Sequence, residues 1–128
     1  MRFLIDTHVL IWWLGAPQHL SARALTVLND PSAEIFVSAV TAWEIALKER
    51  LGKLRFDRSF LAEFDANVQK LSLKPLQVTA AHMILGAQFS AVHKDPFDRM
   101  LAGQVAGEQM VIITADPAFA AFGVQSVW

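Results

Sequence analysis

Short apolar runs alternate with longer stretches of helical periodicity along nearly the whole chain, and no other feature constrains the fold as tightly. Strand-like runs separated by helical patterns lead to a mainly parallel sheet flanked by helices. Met1-Arg2-Phe3-Leu4-Ile5 opens the first strand, about 2–6, and the segment after Asp6 reads as a helix of about 7–15 stopped by Gly15-Ala16-Pro17. Ser21 can cap a second helix ending near Asn29-Asp30-Pro31, and Glu34 to Ser38 is the second strand. Ser38 or Thr41 starts the next helix, which carries Trp43, Glu44, Ile45 and Leu47 to a stop at Gly52. Asp57 caps one helix with Phe60, Leu61, Phe64, Val68 and Leu71 at helical spacing. Ser72 to Leu76 is a short, weak strand, and Thr79 caps a helix through His82, Ile84 and Leu85. Asp95-Pro96 begins a helix of about 96–106, and Met110 to Thr114 is the third clear strand. Asp116-Pro117 then starts a short helical turn, and Val124 to Trp128 is an edge strand. With no repeat, low-complexity tract or linker, a single domain over 1–128 is expected.

Asp6 gives this arrangement a functional direction. It lies where the first strand passes to the first helix, at the carboxyl edge of the expected sheet, where such folds bind ligands. An ionised carboxylate near a core costs free energy unless it is paired, hydrogen-bonded or metal-bound. Four further acids fall at element starts or exposed edges: Glu44, Asp95, Asp98 and Asp116. Each has a bland reading when taken alone. Asp95 before Pro96 and Asp116 before Pro117 are N-caps with proline at the first helical position. Asp98 suits a helix dipole, and Glu44 could be a surface helix residue. Together they fit a hard-cation site, because Mg²⁺ and Mn²⁺ prefer oxygen ligands and a shared cation relieves repulsion among clustered carboxylates. Such a cation can activate a water and stabilise the leaving oxygen of a phosphodiester.

Other chemistry is thinner. There are no cysteines, hence neither a disulfide framework nor a thiolate metal site. His8, His19, His82 and His93 lack a zinc spacing; His93 lies near the acids and reads as a local hydrogen-bond partner, His8 and His82 as helix residues. A Gly-x-Ser-x-Gly elbow and a Walker-type phosphate loop are both absent. Net charge is −1 and the pI about 6.4, which argues against a broad phosphate-binding surface. Nucleic-acid contact would be local, with Lys48, Arg50, Lys53, Arg55 and Arg58, then Lys94 and Arg99, as candidates; on composition alone a solvated helix end is the better explanation of the first group. No stretch is apolar enough to span a bilayer or to serve as a signal-peptide core, so a cytoplasmic protein is expected. Hydrophobic residues make up 54%, above the roughly 45–50% of ordinary soluble chains. That surplus fits either a sheet covered on both faces or a surface kept for a partner.

Four blocks in order then resemble a known family. They are Phe-Leu-Ile-Asp-Thr-His-Val-Leu-Ile-Trp (3–12), Val-Ser-Ala-Val-Thr-Ala-Trp-Glu-Ile-Ala-Leu-Lys (37–48), His-Lys-Asp-Pro-Phe-Asp-Arg-Met-Leu-Ala-Gly-Gln (93–104) and Ile-Thr-Ala-Asp-Pro-Ala-Phe (113–119). They resemble the signature blocks of PIN-domain proteins, and most of all the VapC-type toxins of bacterial toxin–antitoxin pairs. The resemblance implies a PIN-like three-layer α/β sandwich and a Mg²⁺- or Mn²⁺-dependent endoribonuclease. It maps the catalytic acids to Asp6, Glu44, Asp98 and Asp116, with Asp6, Asp98 and Asp116 as metal ligands. Asp95 is an extra carboxylate that supports the site or caps the helix. Thr7 and Thr114 are candidates to orient carboxylates or waters, and Lys48, Arg50 and Arg99 are candidate RNA contacts. A homodimer and a cognate antitoxin protein are implied partners, beside the RNA substrate. Gly103 departs from the pattern, which has a larger or Ala-like residue there; it lowers helix propensity by ~1 kcal/mol relative to Ala and would allow close helix packing.

Two rival readings remain at this level. A catalytically inactive PIN-like module would bind RNA or protein without cutting, which the full set of acids argues against. A receiver-type domain using Asp6 would want a Lys after the last strand, and no Lys follows Lys94.

Overall fold

The computed structural model describes residues 1–90 and 93–128. The chain runs β1 (Arg2–Ile5), α1 (Thr7–Gly15), a 3₁₀ turn (Pro17–His19), α2 (Ala22–Leu28), β2 (Glu34–Ser38) and α3 (Ala39–Arg50). It continues with α4 (Arg58–Ala62), α5 (Phe64–Lys70), β3 (Lys74–Leu76), α6 (Ala80–Gln88) and α7 (Pro96–Glu108). It ends with β4 (Val111–Ile113), a second 3₁₀ turn (Pro117–Phe122) and β5 (Ser126–Val127). The expected caps form: Ser21 on α2, Ser38 on α3, Asp57 on α4 and Thr79 on α6 each accept a hydrogen bond from a backbone N–H of the first turn.

One expected element differs. The apolar periodicity from Phe60 to Leu71 predicts one helix, but the chain breaks at Glu63, whose φ of −124° and ψ of 47° are not helical. Asn67 stabilises the break, its side-chain amide donating to the freed carbonyl of Phe60 at 3.2 Å. Phe60 meets Phe56 and Phe64 edge-on at 5.5 and 5.7 Å, so the bent pair still directs its aromatic face inward.

The five strands are all parallel, in the order β3-β2-β1-β4-β5. The chain builds outward from β1 on one side, then crosses to lay β4 on the other. The carboxyl ends of β1 and β4 therefore flank the point where strand order reverses, the place where open α/β sheets bind ligands. The register sets Ile5 opposite Ile113, so Asp6 and Thr114 leave the sheet side by side.

Side chains alternate across the sheet. Phe3, Ile5, Ile35, Val37 and Ile113 enter a core with Val9, Leu10, Ala24, Ile45 and Val68, while Leu4 and Ile112 face Leu101, Val105, Phe119 and Phe122 on the other side. The result is a three-layer α/β sandwich. On the second face α6 and α7 touch through backbone: a Cβ added at Gly103 would meet the His82 carbonyl oxygen at 2.3 Å and the Gly86 nitrogen at 2.7 Å. That closeness seats α7, whose first turn carries Asp98.

Candidate active site

Asp6 caps α1 with extended backbone, φ −65° and ψ 153°. Its Oδ1 accepts the Thr7 N–H and its Oδ2 accepts the Thr114 hydroxyl, both at 2.7 Å. Thr114 Oγ1 in turn accepts the Asp116 N–H at 3.0 Å. Only 5% exposed, the Asp6 carboxyl is pushed above the ordinary carboxylate range by burial; the Thr114 hydrogen bond, the nearby His8 and the Thr7 N–H oppose this, and the charge of Glu44 adds to it. Both oxygens of this buried carboxylate are thus hydrogen-bonded within the chain, and the charge of Glu44 beside it adds to the cost of ionising it.

Glu44 is 4% exposed on the inner face of α3, far from the surface residue that helical position alone allows. Lys48, one turn on, donates to its Oε2 at 2.5 Å. The Thr7 and Thr41 hydroxyls lie 3.0 Å apart and tie α1 to α3. Ser38, which caps α3, donates to Gln104 Oε1 on α7 at 2.5 Å, so a buried polar link sets α3 against α7.

Asp95 acts as a helix cap: its Oδ1 accepts the N–H of Phe97 at 2.9 Å and of Asp98 at 3.3 Å. Asp98 turns inward, with its Oδ2 2.7 Å from His93 Nε2. Burial first, then the charges of Asp95 and Asp6, push the Asp98 carboxyl up to about 6, against the His93 hydrogen bond that lowers it. The Asp98 hydrogen bond raises His93 above its usual value, helped by the charges of Asp98, Asp116 and Asp95 and opposed by burial. Asp116 caps the second 3₁₀ turn, its Oδ1 accepting the Ala118 N–H at 2.9 Å.

One ligand atom each from His93, Asp98 and Asp116 lies within 4.8 Å of the others. These are nitrogen and oxygen donors, and two carboxylates brought close together gain from a shared cation, so the donor set suits a hard divalent ion. Asp6 stands beside them, near enough for its charge to raise Asp98. His93 thus stands at the same point as the two acids and is hydrogen-bonded to one of them, a position that spacing along the chain does not signal; its place five residues before Asp98, in the stretch leading into α7, is the one clue.

Two clefts open at this edge. One, about 260 Å³, is lined by Asp6, His8, Trp12, Ala115 and Asp116. The other, about 340 Å³, is lined by Glu44, Lys48, Lys53 and Leu54 together with Thr7, Ile11 and the same His8 and Trp12. Of the candidate RNA contacts, Lys48 and Lys53 border the second cleft, and Arg50 lies exposed at the last turn of α3. Arg99 is placed otherwise: its guanidinium donates to the carbonyls of Gly86, Ala87, Phe89 and His93 at 2.5–3.2 Å. It closes the carbonyl end of α6 and fixes His93, because those carbonyls have no helical partner. Arg58 pairs with Glu49 at 2.8 Å.

The PIN domain family model matches residues 3–124. The ribonuclease VapC22 of Mycobacterium tuberculosis is 28% identical over 116 residues, covering 88% of this chain and 85% of that protein. VapBC2 from Rickettsia felis, solved bound to a DNA fragment from its promoter, superposes with a TM-score of 0.72 at 13% identity, over 100% of this chain and 99% of that one. FitAcB from Neisseria gonorrhoeae does so with a TM-score of 0.67 at 19% identity, over 98% and 96%.

Proposed function

The chain belongs to the PIN-domain family, and from that we propose that it is a metal-dependent endoribonuclease, the toxin of a type II toxin–antitoxin pair. The observation that carries the reading is the convergence of Asp98, Asp116 and His93 within 4.8 Å, beside buried Asp6 at the sheet switch point. The ribonuclease name of the Mycobacterium relative and the VapBC names among the structural neighbours support it.

Asp98, Asp116 and Asp6 would hold Mg²⁺, with Mn²⁺ as an alternative. When bound, the ion supplies a water of lowered pKa and a counter-charge for the scissile phosphate. Asp6 contributes a carboxylate whose direction is fixed by Thr114 and Thr7. Glu44, held by Lys48, takes a proton or orients water on the α3 side. Lys48 and Arg50 attract the phosphate chain. The substrate is RNA, and a cognate antitoxin covers the site. The single domain pairs as a homodimer in the cytoplasm; exposed Trp43 and Ile84, 59% and 55% accessible, are apolar surface available for that contact.

The test is cleavage of labelled RNA with and without Mg²⁺ by Asp6→Asn and Asp98→Asn. Both variants are expected to lose at least ~10²-fold in rate, of the order seen when a group stabilising transition-state charge is removed, with circular dichroism unchanged. Full activity in both would refute the assignment. A wild-type chain that binds RNA but never cuts it would be a binding module.

A further inference from the structure

The ring wall between the two clefts is the feature this reading leaves unused. His8, exposed on the first turn of α1, and Trp12, one turn on, lie with ring centroids 5.8 Å apart and planes tilted by 46°. Trp12 is itself braced by His19 at 5.5 Å and Trp128 at 5.9 Å, so the wall has a rigid back. On one side stand Asp6 and Asp116; on the other, Glu44, Lys48, Lys53 and Leu54. A cleft of about 340 Å³ falls at the small end of ligand sites, roughly 300–1,000 Å³. Its lining combines a stacking surface, an apolar floor, the paired Glu44 and Lys48, and Lys53; rings beside a lysine are the combination that binds unpaired nucleic acid.

We propose that His8 and Trp12 form a stacking wedge, and that the cleft between α1 and the end of α3 takes one unpaired nucleotide next to the scissile phosphate. The base stacks on the rings, Lys53 faces its phosphate, and the strand passes over the wedge to the Asp6–Asp116 side. His8 is then a substrate-positioning residue. This rests on the ribonuclease reading.

The test measures binding and cleavage separately. Anisotropy of a fluorescein-labelled oligoadenylate is followed in EDTA, so that nothing is cut, with the matching RNA duplex as comparison. His8→Ala, at an exposed position that spares the fold, is expected to weaken single-strand binding at least about fivefold, the low end of what one stacked base contributes. His8→Phe should restore it, since a ring is what the wedge requires. The duplex should bind more weakly than the single strand. With Mg²⁺, His8→Ala should raise KM more than it lowers kcat. Unchanged affinity in His8→Ala, failure of His8→Phe to rescue, or equal binding of the duplex would each overturn the wedge. A protein that cuts RNA with His8→Ala indistinguishable from wild type loses the wedge and keeps the nuclease. One that shows the His8 effect in EDTA but never cuts loses the nuclease and keeps the wedge. One that binds no RNA loses both.

Discussion

Asp6 is held at both oxygens, and the Thr114 hydroxyl is the contact that spans the chain from β4 back to β1. Thr114→Val keeps the shape and removes the donor. A buried acceptor left without its partner costs about 1–3 kcal/mol, so the thermal midpoint should drop, and cleavage should fall by less than in Asp6→Asn. Asp98 carries the clearest pH signature. Its folded pKa, about 6, lies above the ordinary 3.8, so the folded state holds the proton more tightly than the unfolded chain does. That contribution to stability is full below about pH 4 and is lost as the pH rises through about 6. Asp6 and His93 are shifted upward too and act in the same direction. The metal-free protein should therefore lose thermal stability from about pH 4 to pH 7. Asp98→Asn should flatten the part of that loss between about 4 and 6, and Mg²⁺ should reverse the loss in the wild type. A midpoint that climbs over this range in EDTA would contradict the account.

At the scale of elements, the site depends on where α7 sits. Asp95 holds two N–H groups of its first turn, and Asp95→Ala should cost about 1 kcal/mol through the lost cap, whereas Asp95→Asn should keep both the cap and RNA cleavage. Equal loss of cleavage in both would make Asp95 part of the metal site instead. Gly103 sets the depth of the α6–α7 contact. A methyl group there has backbone, not a movable side chain, within 2.3 Å, so Gly103→Ala must push the helices apart. Overpacking of that kind costs about 1–3 kcal/mol, and here it exceeds the ~1 kcal/mol of helix propensity gained. Urea titration should show a lower midpoint. Displacement of Asp98 should also reduce metal affinity, readable by calorimetry.

For the molecule as a whole, β1 is the element everything else leans on, because it pairs with both β2 and β4 and feeds both layers of core. Ile5→Ala, at a fully buried position one residue before Asp6, should cost about 2–5 kcal/mol and lower metal affinity together with stability; a loss of stability in urea below about 1 kcal/mol would mean the sheet tolerates a cavity at its centre. Much of this architecture was legible in the sequence, since strand runs, caps and the Asp-Pro starts are local signals read over a few residues. The break at Glu63 was not, because the apolar period passes through it unchanged and only the tertiary packing of Phe60 and Phe64 bends the chain. Asp95 was legible as a cap before Pro96, but the turn of Asp98 toward His93 was not, since it takes the folded helix start to bring those two side chains together. The amino-acid sequence by itself determined the order of elements and the family, since periodicity, caps and motif residues act at short range. Only the tertiary structure decided which side chains converge. Glu44 became buried, Arg99 was drawn to the α6 carbonyls, and His8 with Trp12 became the wall between two clefts, because those outcomes depend on how separate elements pack against one another, which no local pattern encodes.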